Sequence, residues 1–273
     1  MPAVQLIRLK KQAAELATLF SQPADFVAKL RSIFEQYSDL TFHAGQAAKP
    51  ASLLPSYHCS DLIIKEIELS LAPLCASQPQ EALAMIDRLW VEEYLEPRQL
   101  ACRLIGRTAL EPFQPVLERL ESWSLTAADT SLTKLLLDLG SQRLRHEAPD
   151  RWLDILRNWM ESSNLALRSN ALTALLPFIQ DREYENLPVV FNLITPALQQ
   201  NAANLSSELQ KALTSLARRS SVETGYFLRQ ILATSSEPAL QRLVRRCLPA
   251  FPVQTQARLK TAMQTRPPSN QDA

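Results

Sequence analysis

The side chains of this chain that can do chemistry are few, and most are charged groups at the ends of apolar segments. Cys59, Cys75, Cys102 and Cys247 are scattered without Cys-x-x-Cys spacing, and His43, His58 and His146 stand apart from one another. His58-Cys59 is a lone thiol–imidazole neighbour pair, and a zinc ion there would need further ligands that the sequence does not put close by. Four glycines, none in GxGxxG or GxxxxGK[ST] spacing, cannot build a phosphate-cradling loop. No hydrolase triad pattern is present, and no metal or cofactor is expected. What remains is charge at defined places. Asp129 directly precedes TSLTKLLLDL, where a carboxylate accepts backbone N–H groups of the first helical turn. Arg168 stands near the start of a second apolar segment, where a cation opposes the positive helix end and so points to an anionic partner. Arg218-Arg219 and Arg245-Arg246 close their segments, where cations are favoured in any case. In successive repeats they would form a basic stripe if they share a face.

The elements that carry these groups repeat. Apolar residues at i, i+1, i+4 and i+7 mark one face of a helix. Trp152, Leu153, Leu156 and Trp159 fit that stripe, as do Val116, Leu117, Leu120 and Trp123, and Ala82, Leu83, Ile86 and Leu89. Three positions of four recur at Val189, Val190 and Leu193 and again at Phe227, Leu228 and Ile231. Five copies at offsets of 34, 36, 37 and 38 residues predict an all-α fold, a single right-handed α-solenoid of HEAT-like helix pairs with a concave groove. The second helices of the pairs are expected around Leu100 and Leu104, Leu132 to Leu136, Leu172 and Leu175, Leu209 to Leu216, and Leu240 and Leu243.

Composition agrees. Leucine occurs 47 times against 20 for valine plus isoleucine, which favours helix over strand. One domain is expected over residues 1–265, with N-terminal helices and a loop over 1–57 and helix-pair repeats over 58–265. The polar stretch 266–273 is expected to be a disordered tail. Net charge is +1, unevenly divided: residues 141–273 hold 16 Lys/Arg against 11 Asp/Glu, residues 1–140 hold 13 against 17. That skew permits a polyanion on the C-terminal half. Arg8, Lys10 and Lys11 interrupt the first apolar stretch and no run is long enough for a membrane span, so a cytoplasmic monomer, with no membrane partner, is expected.

Four stretches in chain order carry a family likeness: LWVEEYLEPRQLACRLI (Leu89 to Ile105), ESWSLTAAD (Glu121 to Asp129), NWMESSNLALRSNAL (Asn158 to Leu172) and ELQKALTSLARR (Glu208 to Arg219). Over roughly residues 58–250 the chain resembles the DNA alkylation repair family, the HEAT-like-repeat alkylpurine DNA glycosylases. The first stretch, with Leu89, Trp90, Glu96, Arg98 and Ala101, reads as fold signature, with Glu96 and Arg98 solvated near the turn. The resemblance implies duplex DNA as partner and excision of N3- or N7-alkylated purines, sensed without flipping the base. It makes Asp129 and Trp123 the catalytic candidates and Arg168, Arg218 and Arg219 the phosphate contacts. A purine alkylated at those positions is already a good leaving group. A fixed carboxylate then stabilises the charge developing on the sugar, aromatic faces favour it, and arginines hold the phosphates.

The departures are equally specific. Ala166 and Ser215 stand where the family has tryptophans, Ser169 replaces a second arginine, Ser124 replaces a tryptophan beside Trp123, and Trp123 to Asp129 is one residue longer. Two roles therefore stand open for Asp129, helix cap or catalytic carboxylate, and Trp123 also continues an apolar stripe. Two functions stand open as well: duplex-DNA binding related to alkylation repair, or a catalytically inactive scaffold holding a protein or RNA in the groove.

Overall fold

The computed structural model describes residues 5–38, 53–127, 129–200, 202–235 and 237–264. Every regular element among them is helical. They divide into two compact units, residues 1–151 and 152–273. The polar tail 266–273 and most of the 41–57 loop lie outside the described residues.

The N-terminal unit contains α1 (Leu6–Thr18), α2 (Pro23–Gln36), α3 (Asp61–Ser77), α4 (Pro79–Trp90), α5 (Leu95–Ile105), α6 (Phe113–Thr126), α7 (Thr130–Leu135) and α8 (Gln142–Glu147). Prolines open α2 and α4, where a missing N–H costs nothing, and Ser60 caps α3 by accepting the Leu62 amide at 3.3 Å. Within the unit α1 lies beside α3, α3 beside α5, and α5 beside α7, while α2 lies beside α4 in a second row. The stripe residues Ala82, Leu83, Ile86 and Leu89 of α4 and Val116, Leu120 and Trp123 of α6 are buried.

Helix α9 (Pro149–Glu161) carries the chain into the C-terminal unit, which contains α10 (Leu165–Gln180), α11 (Leu187–Gln200), α12 (Ser206–Arg219), α13 (Ser221–Thr234), α14 (Pro238–Cys247) and α15 (Val253–Gln264). Here α10, α12 and α14 form one row and α11, α13 and α15 the other. Trp152, Leu153, Leu156 and Trp159 of α9 are buried, as are Val190 and Leu193 of α11 and Phe227, Leu228 and Ile231 of α13. In each unit a helix packs on the next but one, a pattern compatible with stacked HEAT-like pairs.

One second helix departs from expectation. The segment around Leu132 to Leu136 is not continuous: α7 ends at Leu135, a π-helical turn follows over Leu136–Gly140, and α8 starts at Gln142. The π turn passes close to two glycines. A Cβ on Gly106, at the end of α5, would lie 2.0 Å from the carbonyl oxygen of Leu139, and one on Gly140 would lie 3.1 Å from the carbonyl of Cys102. The widened turn is finished by polar side chains, with Ser141 Oγ donating to Leu137 and Arg145 donating to the carbonyl of Asp138. Such π turns concentrate where a helix is locally reshaped.

Candidate functional site

In the N-terminal unit the two tryptophans of the first two motifs form one pair. Trp90 and Trp123 stack with centroids 4.4 Å apart and planes 5° from parallel, and both are buried. The Arg98 guanidinium approaches the Trp90 ring at 6.0 Å and donates to the carbonyl of Glu92 at 2.6 Å. One face of Trp123 is thus covered by another indole. Ser124, beside it, is buried and donates to the carbonyl of Glu121.

Glu96, expected in solvent, is only 3% exposed. Its carboxylate accepts from Ser56 Oγ at 2.7 Å and from the backbone amides of Tyr57 and Cys59 at 3.1 and 3.4 Å. His58, between them, has φ +55°, the left-handed conformation that turns neighbouring N–H groups toward one anion. A buried carboxylate is stable only with such partners, so Glu96 is a structural pin for the segment ahead of α3. The sequence gives no sign of it, because its partners stand 37 to 40 residues away.

Asp129 is the N-cap of α7. Its Oδ1 accepts the Ser131 amide at 2.7 Å, its backbone carbonyl accepts Leu132 and Thr133, and the residue is buried. Capping also holds the carboxylate in one orientation and away from bulk water.

The C-terminal unit brings the other candidates together differently. Arg168, on the first turn of α10, is half-buried and its Nε donates to the carbonyl of Ser162 in the preceding turn. Arg219, at the end of α12, donates through Nη1 to the carbonyls of Phe178 and Ile179 at 2.8 and 3.1 Å and through Nη2 to the carbonyl of Tyr184. Phe178 and Ile179 supply two of the last carbonyls of α10, which have no partner within their own helix, and Tyr184 lies in the segment that follows. Arg219 therefore fastens the C-terminal ends of α10 and α12 side by side. Arg218, its neighbour, is exposed. It lines a groove with Gln180, Arg182, Ser215 and Arg219, which continues along α12 past Thr214, Lys211, Gln210 and Ser207. Among the described residues no carboxylate lines either stretch. Arg168 is not part of it: about twelve residues along α10, at 1.5 Å each, put it roughly 18 Å from this end.

Sequence reasoning did not single out Arg182 and Lys211. A polar helical wheel would have found Lys211, since Ser207, Lys211, Thr214, Ser215 and Arg218 recur at helical spacing on one face of α12. Arg182 lies in the turn after α10, where no periodicity applies. Pairing also differs between the units. Arg31, Arg103, Arg107, Arg119 and Arg143 of the N-terminal unit all hold carboxylates. Among the described residues of the C-terminal unit the arginine–carboxylate pair is Arg157–Asp154 alone.

The family model described as DNA alkylation repair enzyme matches residues 65–246, two thirds of the chain. The chain belongs to the DNA alkylation repair enzyme family. No curated protein matches it. Among solved structures, an engineered protein's crystal structure matches at 14% identity over 96% of this chain and 69% of that one, with a TM-score of 0.35, too low to carry an argument.

In this DNA alkylation repair family member the matched span covers Trp123, Asp129, Arg168, Arg218 and Arg219, and its role is related to DNA repair. Ser215 lines the polar groove, and Ala166 is exposed at the start of α10. Thiol chemistry has no footing. Burial pushes the Cys59 and Cys75 thiols up to about 12 and Cys247 up to about 11, and it raises Cys102 as well. All four stay protonated near neutral pH, and a protonated thiol is a poor nucleophile and metal ligand. Among the described residues no three His, Cys, Asp or Glu side chains are grouped as metal ligands.

The cap geometry at α7 has a measurable consequence. Asp129→Ala should cost about 0.5–2 kcal/mol in urea unfolding, and Asp129→Asn almost nothing, because Asn is an equally good cap.

Proposed function

We propose that this protein binds duplex DNA through its phosphate backbone, using the groove at the joined ends of α10 and α12. The observation that carries the reading is a cationic, hydrogen-bonding groove with no carboxylate, lying within the family's matched span. Arg218, Arg182 and Lys211 supply charge, and Ser215, Thr214 and Gln180 supply hydrogen bonds, the residue types that take phosphate oxygens. Arg168 supplies a second contact near the other end of α10. Arg219 contributes by position: it orders the end of α12 on which Arg218 stands. The same groove gives a protein or RNA scaffold no equal support: phosphate-directed cations favour a nucleic acid over a protein, and the family assignment favours DNA over RNA.

Excision is a separate question, and its candidate carboxylate stands in the N-terminal unit. Asp129 is the candidate carboxylate for the developing sugar cation, held by its cap geometry. The aromatic surfaces that would accompany it are reduced. Trp123 is stacked on Trp90, and Ala166 and Ser215 offer no ring. We therefore read binding, rather than base release, as the activity retained.

Duplex affinity should be sequence-independent and fall steeply with salt. Arg218→Gln should reduce the slope of log affinity against log salt by about 0.9, one counterion's worth. Arg219→Gln should instead lower stability, by about 1.5–3 kcal/mol for lost charge-assisted hydrogen bonds. Salt-insensitive binding, or a slope untouched by Arg218→Gln, contradicts the reading. Alkylated duplex incubated with the protein should release no purine above a buffer control, with an active family member run in parallel. Release that Asp129→Asn abolishes would establish the enzyme.

A further inference from the structure

The second row of the C-terminal unit holds a site of different character. Residues of α11, α13 and α15, and none of α10 or α12, line an open cavity of about 550 Å³. That is within the range of small-molecule sites, roughly 300–1,000 Å³. Phe191 and Phe227 form part of its wall as a stacked pair, centroids 4.7 Å apart. Tyr226 stands over it, 56% exposed despite its size, with its hydroxyl accepting from Gln230 Nε2 at 2.9 Å. Gly225 lets α15 close the wall: a Cβ there would lie 2.5 Å from Cγ2 of Thr255.

Two arginines complete the lining. Arg229 lies one turn beyond Gly225 and its guanidinium is 5.7 Å from the Tyr226 ring centroid. Arg258 lies one turn beyond Thr255 on α15. Among the described residues neither forms an ion pair, although Glu223 also lines the cavity. Glu223 is six residues before Arg229 on α13, which separates the two by about 9 Å along the helix. The cavity thus has aromatic faces, a carboxylate toward one end of α13 and unpaired guanidinium groups toward the other.

This combination narrows the ligand. A neutral apolar ligand would leave two arginines without a counter-charge beside it, and a fatty acyl carboxylate would leave Glu223 without a donor. A bare phosphate would leave the aromatic wall without use. An unpaired nucleotide answers to all parts: its base stacks on aromatic faces, its base-edge N–H groups suit a carboxylate, and its phosphate suits arginine. We propose that the cavity between α11, α13 and α15 binds an unpaired nucleotide, with the base against Tyr226 and the Phe191–Phe227 pair and the phosphate on Arg229 and Arg258. The site is independent of the duplex groove and shares no residue with it.

The ligand has two sources, a free nucleotide or a nucleotide in a single strand, and full-length protein distinguishes them. Guanosine 5′-monophosphate is titrated by calorimetry, and a 5′-labelled single-stranded DNA of about eight nucleotides by fluorescence anisotropy. Binding of the monophosphate assigns the site to free nucleotides, and binding of the strand alone assigns it to single strands. In either case Tyr226→Ala and Arg229→Gln should each weaken binding about tenfold or more, the scale of one lost base stack or phosphate contact. Tyr226→Phe should retain affinity, because the ring stacks and not the hydroxyl. Tyr226 is exposed, so Tyr226→Ala should melt like wild type, and Arg258→Gln supplies a second exposed test. The proposal is overturned if neither probe binds at millimolar concentration, or if Tyr226→Ala and Arg229→Gln bind as wild type does.

Discussion

Packing of each helix on the next but one is the constraint from which the candidate site follows. A helix with a single apolar stripe is stable only when a neighbour covers that stripe, so the second helices of successive pairs lie alongside one another. In the C-terminal unit α10 and α12 run in the same direction, because Arg219 at the end of one reaches the last carbonyls of the other. Two negative helix ends therefore meet, and cations are drawn to them. Arg219 is used up in satisfying those carbonyls. Arg182, Arg218 and Lys211 exceed what the helix ends need, and their charge faces the groove.

The two units treat charge in opposite ways. In the N-terminal unit Arg103 and Arg107 share the buried Glu68, Arg103 also holds Asp61, and Arg119 grips Asp87 through two hydrogen bonds. Buried carboxylates there require partners, and their arginines are structural. Among the described residues of the C-terminal unit no charged side chain is buried, and Arg182 and Arg218 line the groove. Trp123 shows a similar reassignment, since an aromatic that the family resemblance gives to the nucleotide is stacked on Trp90.

Much of the fold was legible in the sequence because helical periodicity is a local signal. Trp152, Leu153, Leu156 and Trp159 announce α9 without reference to anything distant, and the Ser162-Ser163-Asn164 turn ends in a residue that caps α10. The π-helical turn was not legible: its backbone packs against Gly106, thirty residues and more before it, and no local periodicity marks that contact. Of the candidate site, Asp129 as a cap and Arg218 as an exposed cation were readable from position. The clamp made by Arg219 was not, because its acceptors are backbone carbonyls 35 to 41 residues earlier. Glu96 was misread for the same reason, its burial depending on amides of a distant segment that no periodicity links to it.

The central claim is that duplex DNA lies on the joined ends of α10 and α12. Hydrogen–deuterium exchange of the full-length protein, with and without a saturating non-specific duplex at low salt, tests it most directly. Peptides spanning 176–182 and 211–219 should gain protection on adding duplex, and lose that gain when salt is raised. Unchanged exchange in both segments, or protection confined to α11, α13 and α15, would contradict the account.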